Sequence, residues 1–177
     1  MSKPGQYILK LAVLGDAGVG KTSLVNQFVS ASFKEDYRAT LGVSIVMKTI
    51  KLEQINANAR LILWDIAGQE QYEITRGAYY EGCLGALLVY DITRYSSFEN
   101  IEIKWLTDYK KYVEKVGSLI LIGNKNDLED QRYVFKEDAK QMAKRIKAIE
   151  FIETSAKTGN NVENAFLNLV YEILGGH

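Results

Sequence analysis

The stretch GDAGVGKT, from Gly15 to Thr22, has the residue types and spacing of a loop that binds phosphate groups. It fits the pattern GxxxxGK(S/T), in which glycines allow a tight turn whose backbone N–H groups point inward. The ammonium group of Lys21 adds a positive charge beside the phosphates, and the hydroxyl of Thr22 suits Mg²⁺. A predicted strand precedes the stretch and a predicted helix follows it, so the helix N-terminus adds its dipole. We therefore predict a nucleotide-phosphate site, in preference to a glycine-rich turn that binds nothing, at Asp16, Ala17, Gly18, Val19, Gly20, Lys21, Thr22 and Ser23.

A second polar stretch, DIAGQE, follows the apolar run RLILW. The carboxylate of Asp65, at the end of this predicted strand, can hold Mg²⁺ directly or through water. Gly68 can bring a bare backbone N–H close to a terminal phosphate, and the amide of Gln69 can orient an attacking water. Taken alone, the stretch would be interpreted as a turn. The phosphate loop upstream makes it a candidate metal-binding and catalytic segment.

A third polar cluster, NKND, ends the apolar run LILIG. The carboxylate of Asp127 has two acceptor oxygens, which match the adjacent N1–H and N2 amino donors of guanine and find no such pair on adenine. The amide of Asn124 can join neighbouring loops and contact N7 or O6, and the stem of Lys125 can lie over the ring. After the last strand, the N–H of Ala156 can donate to O6. An Asn/Asp-rich turn is the alternative, but beside a phosphate loop we predict a guanine site at Asn124, Lys125, Asp127, Ser155, Ala156 and Lys157.

The elements that must position these motifs alternate between strand and helix after one early hairpin. Apolar, β-rich runs predict strands at 7–15, 43–54, 59–68, 85–93, 118–127 and 150–157, with the hairpin turn at Asn56-Ala57-Asn58. Apolar residues at helical spacing predict helices at 21–30, 97–115, 136–147 and 161–174. This order predicts a single α/β domain at 7–174 between loose ends at 1–6 and 175–177. Its six-stranded sheet is mostly parallel, with one antiparallel edge hairpin strand and helices on both faces. Ligands bind at the carboxyl ends of such strands, so the motifs should converge at one edge of the sheet.

The composition favours a cytoplasmic, globular protein. Among 177 residues, 47% are hydrophobic, and 22 basic side chains balance 22 acidic ones. This neutral charge gives no indication of nucleic-acid binding or of an anionic membrane surface. The single cysteine, Cys83, fits a reducing compartment and is expected to be a small packed residue before a strand. No apolar run reaches the roughly 18 residues needed to span a bilayer, and Trp105 is expected in the core.

The motifs, in this order, resemble those of the Ras superfamily of small GTPases over nearly the whole chain. FKEDYRATLGVS is similar to switch I of the Rab branch, and LWDIAGQEQYEITRGAYY is similar to a Rab switch II. The resemblance implies that Thr40 binds Mg²⁺ and the γ-phosphate, that Phe33 packs edge-on to guanine and that Tyr37 covers the phosphates. It also implies a monomer whose exchange factor, GTPase-activating protein and effectors bind switch I (33–45) and switch II (67–80).

Several positions depart from the Rab pattern. Ala17 replaces a residue that is often Gly in Ras proteins and Ser in Rabs, and its methyl group could crowd an incoming catalytic arginine. Ile66 stands where Thr is usual, with little expected effect. Ile45 replaces an aromatic residue that forms a partner-binding triad with the counterparts of Trp64 and Tyr79. No cysteine lies near the C-terminus, so we expect either a longer natural chain with a lipidated tail, peripheral to a membrane, or a protein without a lipid anchor.

The sequence therefore predicts a guanine-nucleotide switch that binds GTP with Mg²⁺ and hydrolyses it slowly, in trafficking or signalling. In this interpretation Gln69 aligns water, while Lys21, Thr40 and the metal stabilise the developing charge. Hydrolysis is expected to be slow because no arginine is evidently placed as a built-in finger, Arg38 being the nearest candidate. A P-loop kinase or ATPase and a non-hydrolysing binding module of the same fold are the alternatives.

Overall fold

The protein is built around a six-stranded sheet in a computed structural model that describes residues 4–33, 42–67 and 73–175. The strands are β1 Gly5–Leu14, β2 Val43–Leu52, β3 Ala57–Ile66, β4 Gly85–Asp91, β5 Ser118–Asn124 and β6 Glu150–Glu153. Their order across the sheet is β2-β3-β1-β4-β5-β6. Neighbouring strands are parallel except for β2 and β3, whose antiparallel pairing leaves β2 at the edge. The predicted α/β fold with one antiparallel edge strand is confirmed.

Every predicted strand extends one to four residues beyond the observed carboxyl end, because the predicted ranges include the first residues of the loop that follows. Backbone pairing overrides the local pattern at two further places. β1 begins at Gly5 rather than Tyr7, because the first two residues of this strand pair with the first two of β3. The hairpin turn occupies Glu53–Ile55, a short 3-10 segment, and Asn56, whose φ of 46° is left-handed. Ala57, which was predicted in the turn, is already part of β3, where it pairs with Leu52.

The helices cover both faces of the sheet. They are α1 Lys21–Ser30, α2 Glu73–Tyr80, α3 Tyr95–Asn100, α4 Thr107–Tyr112, α5 Lys136–Arg145 and α6 Val162–Ile173, and a π-helical segment at Ile101–Leu106 joins α3 to α4. The sequence pattern at 97–115 thus marks one continuous helical region that starts earlier and ends sooner than predicted. The pattern did not indicate α2, which lies within the segment that resembles switch II. No helix in the described ranges is long and apolar enough to cross a membrane.

Two apolar cores, one on each face of the sheet, hold these layers together. On one face α1 packs against α6, where the rings of Phe28 and Phe166 stack with centroids 4.1 Å apart. On the other face the π-helical segment covers β4 and α5 covers β5 and β6, and Trp105 is fully buried there. Cys83 is buried just before β4, as predicted. These cores fix the parallel strands in register, so that their carboxyl ends meet at one edge of the sheet.

Candidate nucleotide-binding site

The phosphate loop lies between β1 and α1, and its glycines are required by close contacts. A Cβ atom on Gly15 would lie 2.0 Å from the carbonyl oxygen of Val89 in β4. A Cβ atom on Gly20 would lie 2.3 Å from Nδ2 of Asn124, and the φ of Gly20 is +99°, a value that L side chains rarely adopt. The loop is therefore packed directly onto the ends of two neighbouring strands.

Lys21, the first residue of α1, turns its ammonium group back into this loop. Its Nζ donates to the carbonyl oxygens of Gly15 at 2.7 Å and Asp16 at 2.8 Å, and the residue is only 6% exposed. Burial lowers the pKa of Lys21 to about 8; the nearby carboxylates of Asp65 and Asp16 oppose this shift, and the Arg94 guanidinium adds to it. A buried ammonium group is stabilised by a nearby anion, and a phosphate bound in the loop would supply one.

Thr22 and Asp65 meet at the predicted metal position. The hydroxyl of Thr22, at the start of α1, donates to Oδ2 of Asp65 near the end of β3, and Asp65 is almost fully buried. A hydroxyl and a carboxylate are hard oxygen donors of the kind that Mg²⁺ prefers, so the pair fits this ion. In the part of the chain that the structure describes, no group of three or more His, Cys, Asp or Glu residues could hold a metal.

Asn124 joins the phosphate loop to the loop after β6. Its Nδ2 donates to the carbonyl oxygen of Val19 at 2.9 Å. Its Oδ1 accepts from the hydroxyl of Thr154 at 3.1 Å and from the N–H of Ala156 at 3.2 Å. Asn124 joins the loops as predicted, and the Ala156 N–H, which was predicted as a donor to the base, donates to the amide oxygen of Asn124.

The residues predicted to bind the base lie around an exposed carboxylate. Asp127 is exposed, and its Oδ1 accepts from the hydroxyl of Ser155 at 2.6 Å. Lys125 adopts a left-handed conformation, with a φ of 69°, and its Nζ lies 2.6 Å from Oδ2 of Asp91. Lys157 follows on the same loop and is exposed. The structure thus brings the NKND cluster and the loop after β6 into direct contact.

Several residues that the sequence reasoning missed hold the phosphate loop from the side of α3. The carboxylate of Asp16 accepts from Nδ2 of Asn100 at 2.8 Å and from Nε1 of Trp105 at 2.7 Å. The guanidinium of Arg94 donates to the carbonyl oxygen of Ala17 at 2.7 Å. The side chain of Asp16 is thereby occupied within the protein, which leaves its backbone for any contact with phosphate. Of the missed residues, Asp91 had a signal in the sequence, since it ends a strand at the predicted edge.

Some predicted site residues lie outside the described ranges. These are Tyr37, Thr40, Gly68 and Gln69, together with Arg38. Phe33 is described and is exposed, three residues beyond the end of α1. The described ends of the two switch segments lie side by side, because the N–H of Ala67 donates to the carbonyl oxygen of Gly42 at 2.9 Å.

The residues that correspond to the Rab partner-binding triad form a surface beside these segments. Ile45 pairs with Trp64 across β2 and β3 and is 51% exposed. The rings of Trp64 and Tyr79 are 5.9 Å apart, and the ammonium of Lys10 lies 3.8 Å from the centroid of the Trp64 ring. Ile66, by contrast, is fully buried in the core.

Comparisons with known proteins agree with this geometry. The model of the Ras family matches residues 10–175. The chain is 44% identical to Ras-related protein RABA4b of Arabidopsis thaliana, over 94% of this chain and 73% of that protein. It is 41% identical to Ras-related protein Rab-13 of Mesocricetus auratus, over 98% of this chain and 84% of the relative.

A GxxxxGK(S/T) loop between the first strand and first helix of a sheet of this topology is typical of a P-loop nucleotide-binding protein. The family match makes the assignment specific: the chain belongs to the Ras family and is a Rab-like small GTPase. It is therefore a GTP-binding switch that hydrolyses GTP.

Proposed function

We propose that this GTPase holds GTP with Mg²⁺ at the described strand edge, hydrolyses it slowly and acts in vesicle trafficking through Rab-like partners. The observation that carries the residue assignments is the convergence of three separate motifs. Thr22 contacts Asp65, the amide of Asn124 contacts the phosphate loop, and Ser155 contacts Asp127. These contacts join residues that are far apart in sequence, and each joins groups that the sequence assigns to one ligand.

The chemistry assigned to the described residues is mainly positioning and charge stabilisation. The loop N–H groups and the ammonium of Lys21 bind the phosphates and offset the negative charge that develops during transfer to water. Thr22 and Asp65 are the described residues that would hold Mg²⁺, which supplies further positive charge to the phosphate oxygens. Asp127 binds the guanine base, with Ser155 fixing its orientation. We assign Gln69 to alignment of the attacking water, with Thr40 and Gly68 at the terminal phosphate and with Phe33 and Tyr37 around the nucleotide.

The surface formed by Ile45, Trp64 and Tyr79 is proposed as the docking site for effectors. An exposed isoleucine between the two switch segments presents apolar area whose burial favours binding. Ile45 is branched and smaller than an aromatic residue, so a partner's pocket must have a different shape from one that accepts a ring. The selectivity of this protein among Rab partners is therefore expected to depend on this position.

The experiment that tests the proposal compares GTP with ATP. We expect GTP with Mg²⁺ to raise the melting temperature and ATP to leave it unchanged, because only guanine offers adjacent donors to Asp127. A single-turnover assay then separates a hydrolase from a binding module. Stabilisation by ATP equal to that by GTP would contradict the guanine assignment, and no phosphate release over hours would contradict hydrolysis by these residues.

A further inference from the structure

Arg94 lies against the outer side of the phosphate loop. One guanidinium nitrogen, Nη2, donates to the carbonyl oxygen of Ala17 at 2.7 Å. The other, Nη1, lies 3.8 Å from the position that a Cβ atom on Gly18 would occupy. The guanidinium therefore contacts the one peptide unit that joins these two loop residues.

The backbone of Arg94 is itself held in place. Its N–H donates to the carbonyl oxygen of Asp91, at the end of β4, at 3.0 Å. Its carbonyl oxygen accepts from the hydroxyl of Ser97 at 2.6 Å and from the N–H of the same residue at 3.1 Å. Ser97 is fully buried. The side chain thus reaches the loop from a rigid turn at the end of a core strand.

The hydrogen bond from Arg94 to the Ala17 carbonyl oxygen also orients the Gly18 N–H of the same peptide. In a trans peptide the C=O and the following N–H point in opposite directions. A hydrogen bond that fixes the Ala17 oxygen toward Arg94 therefore fixes the Gly18 N–H away from Arg94. Gly18 has a φ of +77°, so the chain can make this turn without side-chain strain. A charged donor also polarises the peptide, which makes its N–H a stronger donor.

Among the described residues, no carboxylate balances the charge of Arg94. No ion pair joins it to an acidic side chain of the described residues. The ammonium of Lys21 belongs to the same loop, where it donates to the carbonyl oxygens of Gly15 and Asp16. Two cations held near each other are unfavourable in the absence of an anion. A polyphosphate bound in the loop would relieve the repulsion.

We propose that Arg94 is a positioning residue of this GTPase: it holds the Ala17–Gly18 peptide so that the Gly18 N–H points at the nucleotide's phosphate chain, and it adds positive charge behind the loop. This inference rests on the proposed function, in which the loop holds the phosphates. In this role Arg94 contributes to binding of the second and third phosphates of the nucleotide and not to recognition of the base.

The test is the preference of the protein for GDP over GMP, measured by competition against a fluorescent guanine nucleotide. Arg94→Ala should lower the ratio of GDP affinity to GMP affinity by at least about tenfold, because both the oriented loop peptide and the charge of Arg94 contribute to binding the phosphates. Arg94→Lys, which retains a cationic donor, should recover the preference to within about threefold of the wild type. Arg60→Ala removes an exposed arginine of β3 and should leave the preference unchanged.

The outcomes distinguish this inference from the proposed function. If Lys21→Ala binds GDP as tightly as the wild type, the loop does not hold the phosphates and the proposed function fails. If Lys21→Ala loses GDP while Arg94→Ala keeps the wild-type GDP-to-GMP ratio, only the role of Arg94 is refuted. An Arg94→Ala variant that weakens GMP and GDP by the same factor also refutes it, since a loosened fold would affect both ligands alike.

Discussion

Exchanging Asp127 for Asn tests how the base is recognised, and the structure predicts which way the new amide will face. The Ser155 oxygen already accepts from the N–H of Thr158 at 3.0 Å, so its proton is directed at Oδ1 of Asp127, 2.6 Å away. In Asp127→Asn, the amide oxygen should keep this bond. The new NH₂ group then takes the place of Oδ2, the oxygen that is not bonded to Ser155 and that we assign to the base.

The cost to GTP binding follows from that orientation. A donor replaces an acceptor opposite a guanine donor, so a charge-assisted bond of about 1.5–3 kcal/mol is lost and two donors face each other at a cost of about 1–3 kcal/mol. Because Asp127 is an exposed residue, the low end of both ranges applies, about 2.5 kcal/mol, or roughly 60-fold in affinity. Xanthine has a carbonyl where guanine has its amino group, so affinity for xanthosine triphosphate should rise.

The assay is competition of GTP and xanthosine triphosphate against a fluorescent guanine nucleotide, on wild type and variant. Asp127 and Asp130 both lie in a short 3-10 helix, Asn126–Gln131. Asp130→Asn, which changes the other exposed aspartate of this helix, is the matched control and should change neither affinity. Adding Ser155→Ala to Asp127→Asn should let the amide flip and should reduce the preference for xanthosine triphosphate. A variant that holds GTP as tightly as the wild type would refute the assignment of Asp127 to the base.

Three further outcomes are expected. Gln69→Leu should keep nucleotide affinity and slow single-turnover hydrolysis, since its amide is assigned to water and not to the bound nucleotide; an unchanged rate would refute that role. Thr22→Asn should cost GTP more affinity than GDP, because the Mg²⁺ that Thr22 is proposed to hold would offset the extra charge of the third phosphate, and titration of both nucleotides in excess Mg²⁺ measures the difference; equal losses would argue against the metal site. With its pKa lowered to about 8, Lys21 should be half deprotonated at pH 8, so GDP binding should take up about half a proton there, seen by calorimetry in two buffers. The folded pKa lies below the unfolded value of 10.5, so this group makes the nucleotide-free protein more stable as pH rises from about 8 to 10.5, and Lys21→Met should remove that rise.

The sequence by itself determined the chemistry of the phosphate and base motifs. The glycines, Lys21 and Thr22 act within one short loop, and their spacing is sufficient to specify it. The alternation of strands and helices likewise predicted the parallel sheet, and the parallel sheet placed the motifs at one edge. Both the chemistry of a motif and the order of strands and helices depend on residues that are close together in sequence, so both can be predicted without a structure.

Only the tertiary structure decided which side chains support those motifs. Arg94 contacts Ala17 across 77 positions of sequence, and Trp105 contacts Asp16 across 89. Trp105 was expected simply as core, and it is indeed fully buried, but one edge of its ring also donates to the phosphate loop. Such contacts depend on how the π-helical segment packs over β4, and no local pattern in the sequence encodes that packing.

The same reason explains the early start of β1, the displaced hairpin turn and the undetected helix. Gly5 and Gln6, the first residues of β1, are not apolar enough to indicate a strand. They are part of the strand because they pair with the first two residues of β3. Residues 73–80 form an amphipathic helix of only eight residues, and packing helps to hold it, as the buried hydrogen bond at 2.9 Å from the Tyr80 hydroxyl to Asp108 shows. Local sequence fixes what a segment can do, while long-range pairing and burial select among the conformations that the segment allows.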